Sequence, residues 1–162
     1  MADRKAFKLA PMHPAFSVMT WIYFFALAWL LATCRSGFVI QFAASVLGGV
    51  ALLIWFWFRP SSFEVDEAGL HIRWPLRRRF ILREDILSVE PAQIRQFGFM
   101  LRVGAGGLWG AFGYFYSFAM GGLDGYFSHT QGLVLIRMKH SRPLLITPER
   151  AEEFIKELQP HA

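Results

Sequence analysis

The sequence predicts an α-helical transmembrane hairpin followed by a mainly antiparallel β domain, a sandwich or barrel, with a C-terminal capping helix. Three observations carry this reading. Residues 15–34 and 38–58 are uncharged apolar stretches of 20 and 21 residues, and each reaches about 30 Å as helix, the thickness of a bilayer core. After Pro60, short strand-like runs alternate with turn residues. Beyond residue 146 the apolar spacing changes to that of a helix. The expected organisation is a cytoplasmic tail over 1–14, a two-helix hairpin over 15–58 (15–34 and 38–58) and one domain over 59–162.

The chain has 162 residues, of which 18% are charged, against about 25% in an average soluble domain. The deficit lies in the two apolar stretches. Residues 59–162 carry 13 Lys and Arg against 11 Asp and Glu, so the high isoelectric point is no nucleic-acid signature and no nucleic-acid partner is expected. The single cysteine, Cys34, excludes an internal disulfide and any cysteine-based zinc cluster. Residues 15–34 are too long for the apolar core of a signal peptide, and no small-residue cleavage site follows them. Leu31-Ala32-Thr33-Cys34 loosely resembles a lipoprotein box, but a second apolar stretch follows at once, so Cys34 reads as an ordinary helix cysteine.

Basic residues near span ends set orientation. Arg4, Lys5 and Lys8 precede the first stretch, Arg35 lies in the short Arg35-Ser36-Gly37 turn, and Arg59, Arg73 and Arg77-Arg78-Arg79 follow the second. Both ends are expected in the cytoplasm, with the turn outside. Trp55-Phe56-Trp57-Phe58-Arg59 ends the second stretch as an interface anchor, and Pro60 stops the helix.

Residues 103–123 form a third uncharged stretch. Seven glycines lie in it, each weakening a helix by up to about 1 kcal/mol relative to alanine. A third crossing would also export the basic residues that follow. The expectation is a glycine-rich loop or a pair of strands, with Trp109, Phe112, Tyr114, Phe115, Tyr116 and Phe118 either in the core or on a membrane-facing surface.

Ser62–Val65, 70–74, 79–82 and 86–94 read as strands, with Pro91 marking an edge or a bulge. Residues 126–130, Leu133–Met138 and Leu144–Ile146 follow, the last two as a hairpin. Thr147 then reads as an N-cap and Pro148 as the first helical residue. Phe154, Ile155 and Leu158 form its apolar stripe, Glu152 and Lys156 are spaced for an ion pair, and Pro160 lies beyond its end.

Two N-terminal spans, then Phe63-Glu64-Val65-Asp66-Glu67-Ala68-Gly69-Leu70-His71-Ile72, a basic turn, and Ile86-Leu87-Ser88-Val89-Glu90 together resemble the bacterial pleckstrin-homology-like (PH-like) membrane proteins. The glycine-aromatic segment, Leu133-Val134-Leu135-Ile136 and the closing helix fit the same pattern. The resemblance implies a seven-stranded, bent antiparallel sandwich capped by a helix, sitting at a bacterial inner membrane. It implies no enzymatic activity and no cofactor, and supplies no catalytic residue.

Arg77-Arg78-Arg79, with Arg73 and Arg83, form the densest basic cluster. In a PH-like fold, the first-strand turns often hold phosphate headgroups, and arginine presents a planar fork to phosphate oxygens. The alternative is a solvated hairpin partly neutralised by Glu84 and Asp85. Candidate membrane-surface residues are therefore Arg59, Arg73, Arg77, Arg78, Arg79, Trp109 and Phe112, with the bilayer and its anionic headgroups as partners. The five histidines are scattered and make no metal-ligand spacing. Ser128-His129 near Asp124 has no activating arrangement, and the glycines at 104–110 match a dinucleotide fingerprint only by chance. The expected function is a non-enzymatic membrane-anchored binding or assembly module. The alternative is a small subunit of a larger membrane complex or a homo-oligomer, with Ala28, Ala32, Ala43, Ala44, Gly48 and Gly49 as small residues for helix contact.

Overall fold

A computed structural model describes residues 4–33 and 37–159. Cys34, the Arg35-Ser36 part of the expected turn, Pro160 and His161 lie outside the described residues. The chain opens with a short strand, β1 (Lys5–Lys8), before the first long helix, α1 (Pro14–Thr33). The second, α2 (Phe38–Leu53), widens into a single π turn over Ile54–Phe58 and ends at Pro60. Pro14–Thr33 and Gln41–Phe58 are both long and apolar enough to cross a membrane. They are apolar all round, with Trp21, Phe25, Trp29, Phe38 and Val39 exposed. The Tyr23 hydroxyl donates to the Leu47 carbonyl and ties the two helices together.

Nine strands follow: β2 (Ser62–Val65), β3 (Gly69–Arg73), β4 (Arg78–Leu82), β5 (Ile86–Ala92), β6 (Met100–Gly106), β7 (Ala111–Ser117), β8 (Gly121–Phe127), β9 (Leu133–Met138) and β10 (Leu144–Ile146). Helix α3 (Ala151–Leu158) closes the fold. One sheet has the order β1-β2-β3-β4 and the other β5-β9-β10-β8-β7-β6. All pairings are antiparallel except β8 with β10, where the chain returns in parallel. The two sheets form a sandwich and do not close into a barrel. The strand count exceeds the expected seven because the glycine-rich stretch is regular: it supplies β6, β7 and the start of β8. Its seven-residue pairings need a backbone that curls tightly, and glycine permits that.

The main core lies between the sheets. Phe63, Leu70 and Ile72 meet Val89, Phe112, Ile136 and Ile146, and α3 adds Phe154 and Leu158. The second face of the larger sheet is also covered, by Phe97 from a tight turn and by Phe16 from the start of α1. Hence β10 and residues 133–136 of β9 are buried on both faces and read as unbroken apolar runs, with Arg137 exposed beyond them. Pro91 sits in β5, an edge strand with a register irregularity, as expected.

Two expectations are corrected. The first concerns the N-terminal tail, whose described residues begin at Arg4 and take part in the domain. Lys5–Lys8 pair with Ser62–Val65, and Phe7 is only 1% exposed among the core residues. The second concerns the C-terminal helix, which begins at Ala151 rather than after Thr147. Leu9 bridges Pro148, the Ala10 N–H donates to the Thr147 carbonyl, and the Glu149 N–H donates to the Lys8 carbonyl. The N-terminal segment thus pairs with residues 147–149 and keeps them out of the helix. The Thr147 hydroxyl accepts from the Ser128 N–H instead of capping the helix.

Candidate functional site

The basic cluster divides once its partners are seen. The Arg73 guanidinium lies 2.6 Å from the Glu64 carboxylate on the neighbouring strand, and that of Arg79 lies 2.9 Å from Asp124 in the opposite sheet. Arg83 turns away from both: its guanidinium donates to the Glu157 and Gln159 carbonyls at 2.7 and 3.1 Å and so closes the end of α3. Three arginines within the domain are therefore committed to holding it together. The neutralising carboxylates are Glu64 and Asp124, not Glu84 and Asp85.

Arg59, Arg77 and Arg78 differ from these. Among the described residues, no ion pair involves any of the three. The Arg59 guanidinium carbon lies 4.3 Å above the Trp55 ring, and that of Arg77 lies 4.1 Å above the Trp74 ring. Such cation–π stacking holds a guanidinium in place while leaving its edge donors available. The two stacks adjoin, because the Trp74 indole N–H donates to the Phe58 carbonyl at 3.0 Å. The Trp74 N–H closes the turn onto the Arg77 carbonyl, and Leu76 stands 65% exposed at the tip. The Trp-Pro-Leu-Arg turn is thus anchored to the last turn of the second apolar helix. Burial pulls the Arg59 guanidinium below its ordinary value, and its Nε is buried with no hydrogen-bond partner.

The β6–β7 tip reaches the same helices from the other side. Trp109 has φ 60°, the one left-handed non-glycine residue among those described, a conformation that costs a bulky residue about 1–3 kcal/mol. Its contacts hold it there. Its N–H donates to the Thr20 hydroxyl at 3.1 Å, and its ring lies 5.0 Å from that of Trp55 and 5.9 Å from that of Phe24. Gly110 makes the turn possible: a Cβ there would stand 2.6 Å from the Phe127 carbonyl oxygen. Trp109 is therefore a docking residue between domain and helices. Phe112 is corrected: it is fully buried between the sheets and offers no surface to a membrane, because β7 turns it inward. The outward face of β6 and β7 and the turns beside them instead exposes Phe99, Leu101, Val103, Tyr116 and Phe118.

The structure thus brings Arg59 and Arg77 together through Trp55, Phe58 and Trp74, with Trp109 against Trp55; Arg78 faces Arg73 across the strand pair, where Arg73 is held by Glu64, and Arg79 and Phe112 are turned elsewhere. Trp55 and Trp74, which seat the arginines, were not singled out as site residues. Trp74 carries a signal in its spacing of three to Arg77 across a proline turn, whereas the Trp55–Trp109 contact has none. Among the described residues, no group of three or more His, Cys, Asp or Glu is placed to hold a metal ion.

No curated protein and no solved structure matches the chain. The family model described as the bacterial PH domain matches residues 61–162. That span takes in β2 to β10 and α3, the sandwich and its capping helix, and leaves outside it the two apolar helices and β1. By that match, which covers well over half of its length, the chain belongs to the bacterial PH domain family.

Proposed function

We propose that this protein is a non-enzymatic, membrane-anchored binding module whose Arg59, Arg77 and Arg78 meet anionic headgroups at the cytoplasmic face of a bacterial inner membrane. In this reading α1 and α2 cross the bilayer as an antiparallel hairpin, and both chain ends lie on the domain's side. One observation carries it. Arg59 and Arg77, which have no carboxylate partner among the described residues, are stacked on Trp55 and Trp74, and these two stacks meet at the end of the second apolar helix, where headgroups would lie. The pairing of β1 with β2 supports the topology, since it joins the segments before α1 and after α2 in one sheet. Each such cation near an anionic surface adds about 1 kcal/mol.

The test uses the full chain in vesicles. Cys34 is replaced by serine, Leu76 by cysteine, and the new thiol carries an environment-sensitive dye. Headgroup quenchers in phosphatidylglycerol vesicles should quench the dye, and Arg77→Gln with Arg78→Gln should relieve the quenching. A dye equally quenched in neutral phosphatidylcholine, or unmoved by the double substitution, refutes the electrostatic contact.

A second reading is a subunit of a larger membrane complex or a homo-oligomer. The exposed Leu101 and Val103 on the edge strand β6, with exposed Phe99 just before it, favour it, since protein surfaces seldom leave such an edge bare. A particle of monomer mass in mild detergent counts against it.

A further inference from the structure

An apolar groove of about 420 Å³ opens between the two long helices and the β6–β7 tip. Phe24 lines it from α1, Gly48, Ala51 and Leu52 from α2, Trp55 from the π turn, and Trp109 from the tip. No charged residue lines it. Its length from Gly48 to Trp55 is about 10 Å of helix, within the roughly 15 Å that one leaflet's hydrocarbon occupies. At Gly48 the groove has open space, because an added Cβ would meet no atom within 4 Å. Arg59 stands one turn beyond Trp55, stacked on that ring, with its buried Nε unpaired and no carboxylate bound to it. Trp55 thus lines the hydrocarbon slot and also seats a cation that has no carboxylate partner.

We propose that this groove binds one phospholipid of the surrounding membrane, with an acyl chain in the slot and the phosphodiester on the Arg59 guanidinium. The proposal rests on the reading that α1 and α2 cross a bilayer, and goes beyond surface contact to a defined site. Charge complementarity selects this occupant. A sterol or a neutral glyceride fills the slot but leaves Arg59 without an anion. Free phosphate satisfies Arg59 but leaves the slot empty. An apolar partner helix does neither for the cation.

The test is native mass spectrometry on the full chain purified in mild detergent and titrated with dioleoyl-phosphatidylglycerol, with dioleoyl-glycerol and glycerol phosphate as controls. One retained phosphatidylglycerol per chain is expected, with neither control retained. Gly48→Leu fills the slot and Arg59→Gln removes the cation, and each should cut retention at least tenfold. Gly49→Leu carries the same added bulk, also into open space and outside the groove lining, and should keep the lipid. Circular dichroism on each variant confirms that the domain is folded.

Equal retention in Gly48→Leu and wild type overturns the site, as does equal loss in Gly49→Leu and Gly48→Leu. Loss of an oligomer rather than of lipid on Gly48→Leu assigns the groove to a partner helix and also overturns it. The dye at residue 76 separates the two failures. Quenching that persists without retained lipid sinks the site alone, whereas loss of both sinks the anchored-module reading with it.

Discussion

Replacing Phe7 with alanine should unfold the domain at a markedly lower temperature, although Phe7 lies before both long helices and some fifty residues from the rest of the sandwich. Phe7 is 1% exposed, its ring meets that of Phe154 edge-on at 5.2 Å, and it belongs to the main core. Truncating a core phenylalanine costs about 3–5 kcal/mol, through lost burial and the cavity left behind. For a domain of about 100 residues, each kcal/mol lowers the midpoint by at least about 4 °C, so a loss of some 12–20 °C is expected. Near-UV circular dichroism of the full chain in mild detergent reads the transition. Lys8→Ala, an exposed position on the same strand, should change it by less than about 0.5 kcal/mol. Loss of the strand should also open Lys5 and Lys8 to trypsin. A Phe7→Ala midpoint within about 2 °C of wild type would mean that β1 is not a member of the sheet, and the argument for both ends lying on one side would go with it.

Two further outcomes follow from the domain itself. Burial alone would push the Asp66 carboxyl up, but the Gly69 N–H, the His71 ring and the Ala68 N–H outweigh it and hold the group below its ordinary 3.8. That stability is present above the unfolded value and is lost as pH falls through the lower folded one. Asp66→Asn should therefore flatten the stability curve below about pH 4, and an unchanged acid slope refutes the assignment. Gly110→Ala drives a methyl to 2.6 Å from a carbonyl oxygen, whereas Gly98→Ala, also at positive φ, meets nothing within 4 Å. The second should cost only the strain of its positive φ, about 1–3 kcal/mol, and the first clearly more. The reverse order in chemical denaturation would contradict the tip geometry.

The parts of the fold written in local patterns were legible. Ser62–Val65, Leu133–Met138 and Leu144–Ile146 announce themselves by apolar runs between turn residues, and they form the strands expected. The two long helices were equally plain, since each is some twenty uncharged residues with few glycines, whereas the uncharged but glycine-rich 103–123 forms strands. What escaped depended on distant partners. Lys5-Ala6-Phe7-Lys8 is too short and too basic to read as a strand, and it becomes one because Ser62–Val65 offers an edge. Thr147-Pro148-Glu149 has good local helix-start chemistry, and the same N-terminal segment overrides it. The arginine cluster was visible as composition, but its division was not: only the cross-sheet pairing of Arg79 with Asp124 and the diagonal reach of Arg73 across the strand pair to Glu64 separate bound from unbound guanidinium groups.

The β1–β2 pairing also sets an order of events during synthesis. Residues 5–8 leave the ribosome first, yet their partner strand emerges only after both apolar helices have been made. In a membrane, a chain that inserted one helix and not the other would place β1 and β2 on opposite sides. The first sheet would then lack its edge strand, and the core its Phe7. On the reading that α1 and α2 cross a bilayer, only a hairpin that has gone in and come back can complete the sandwich, and a chain that has not is left with the open edge of β2.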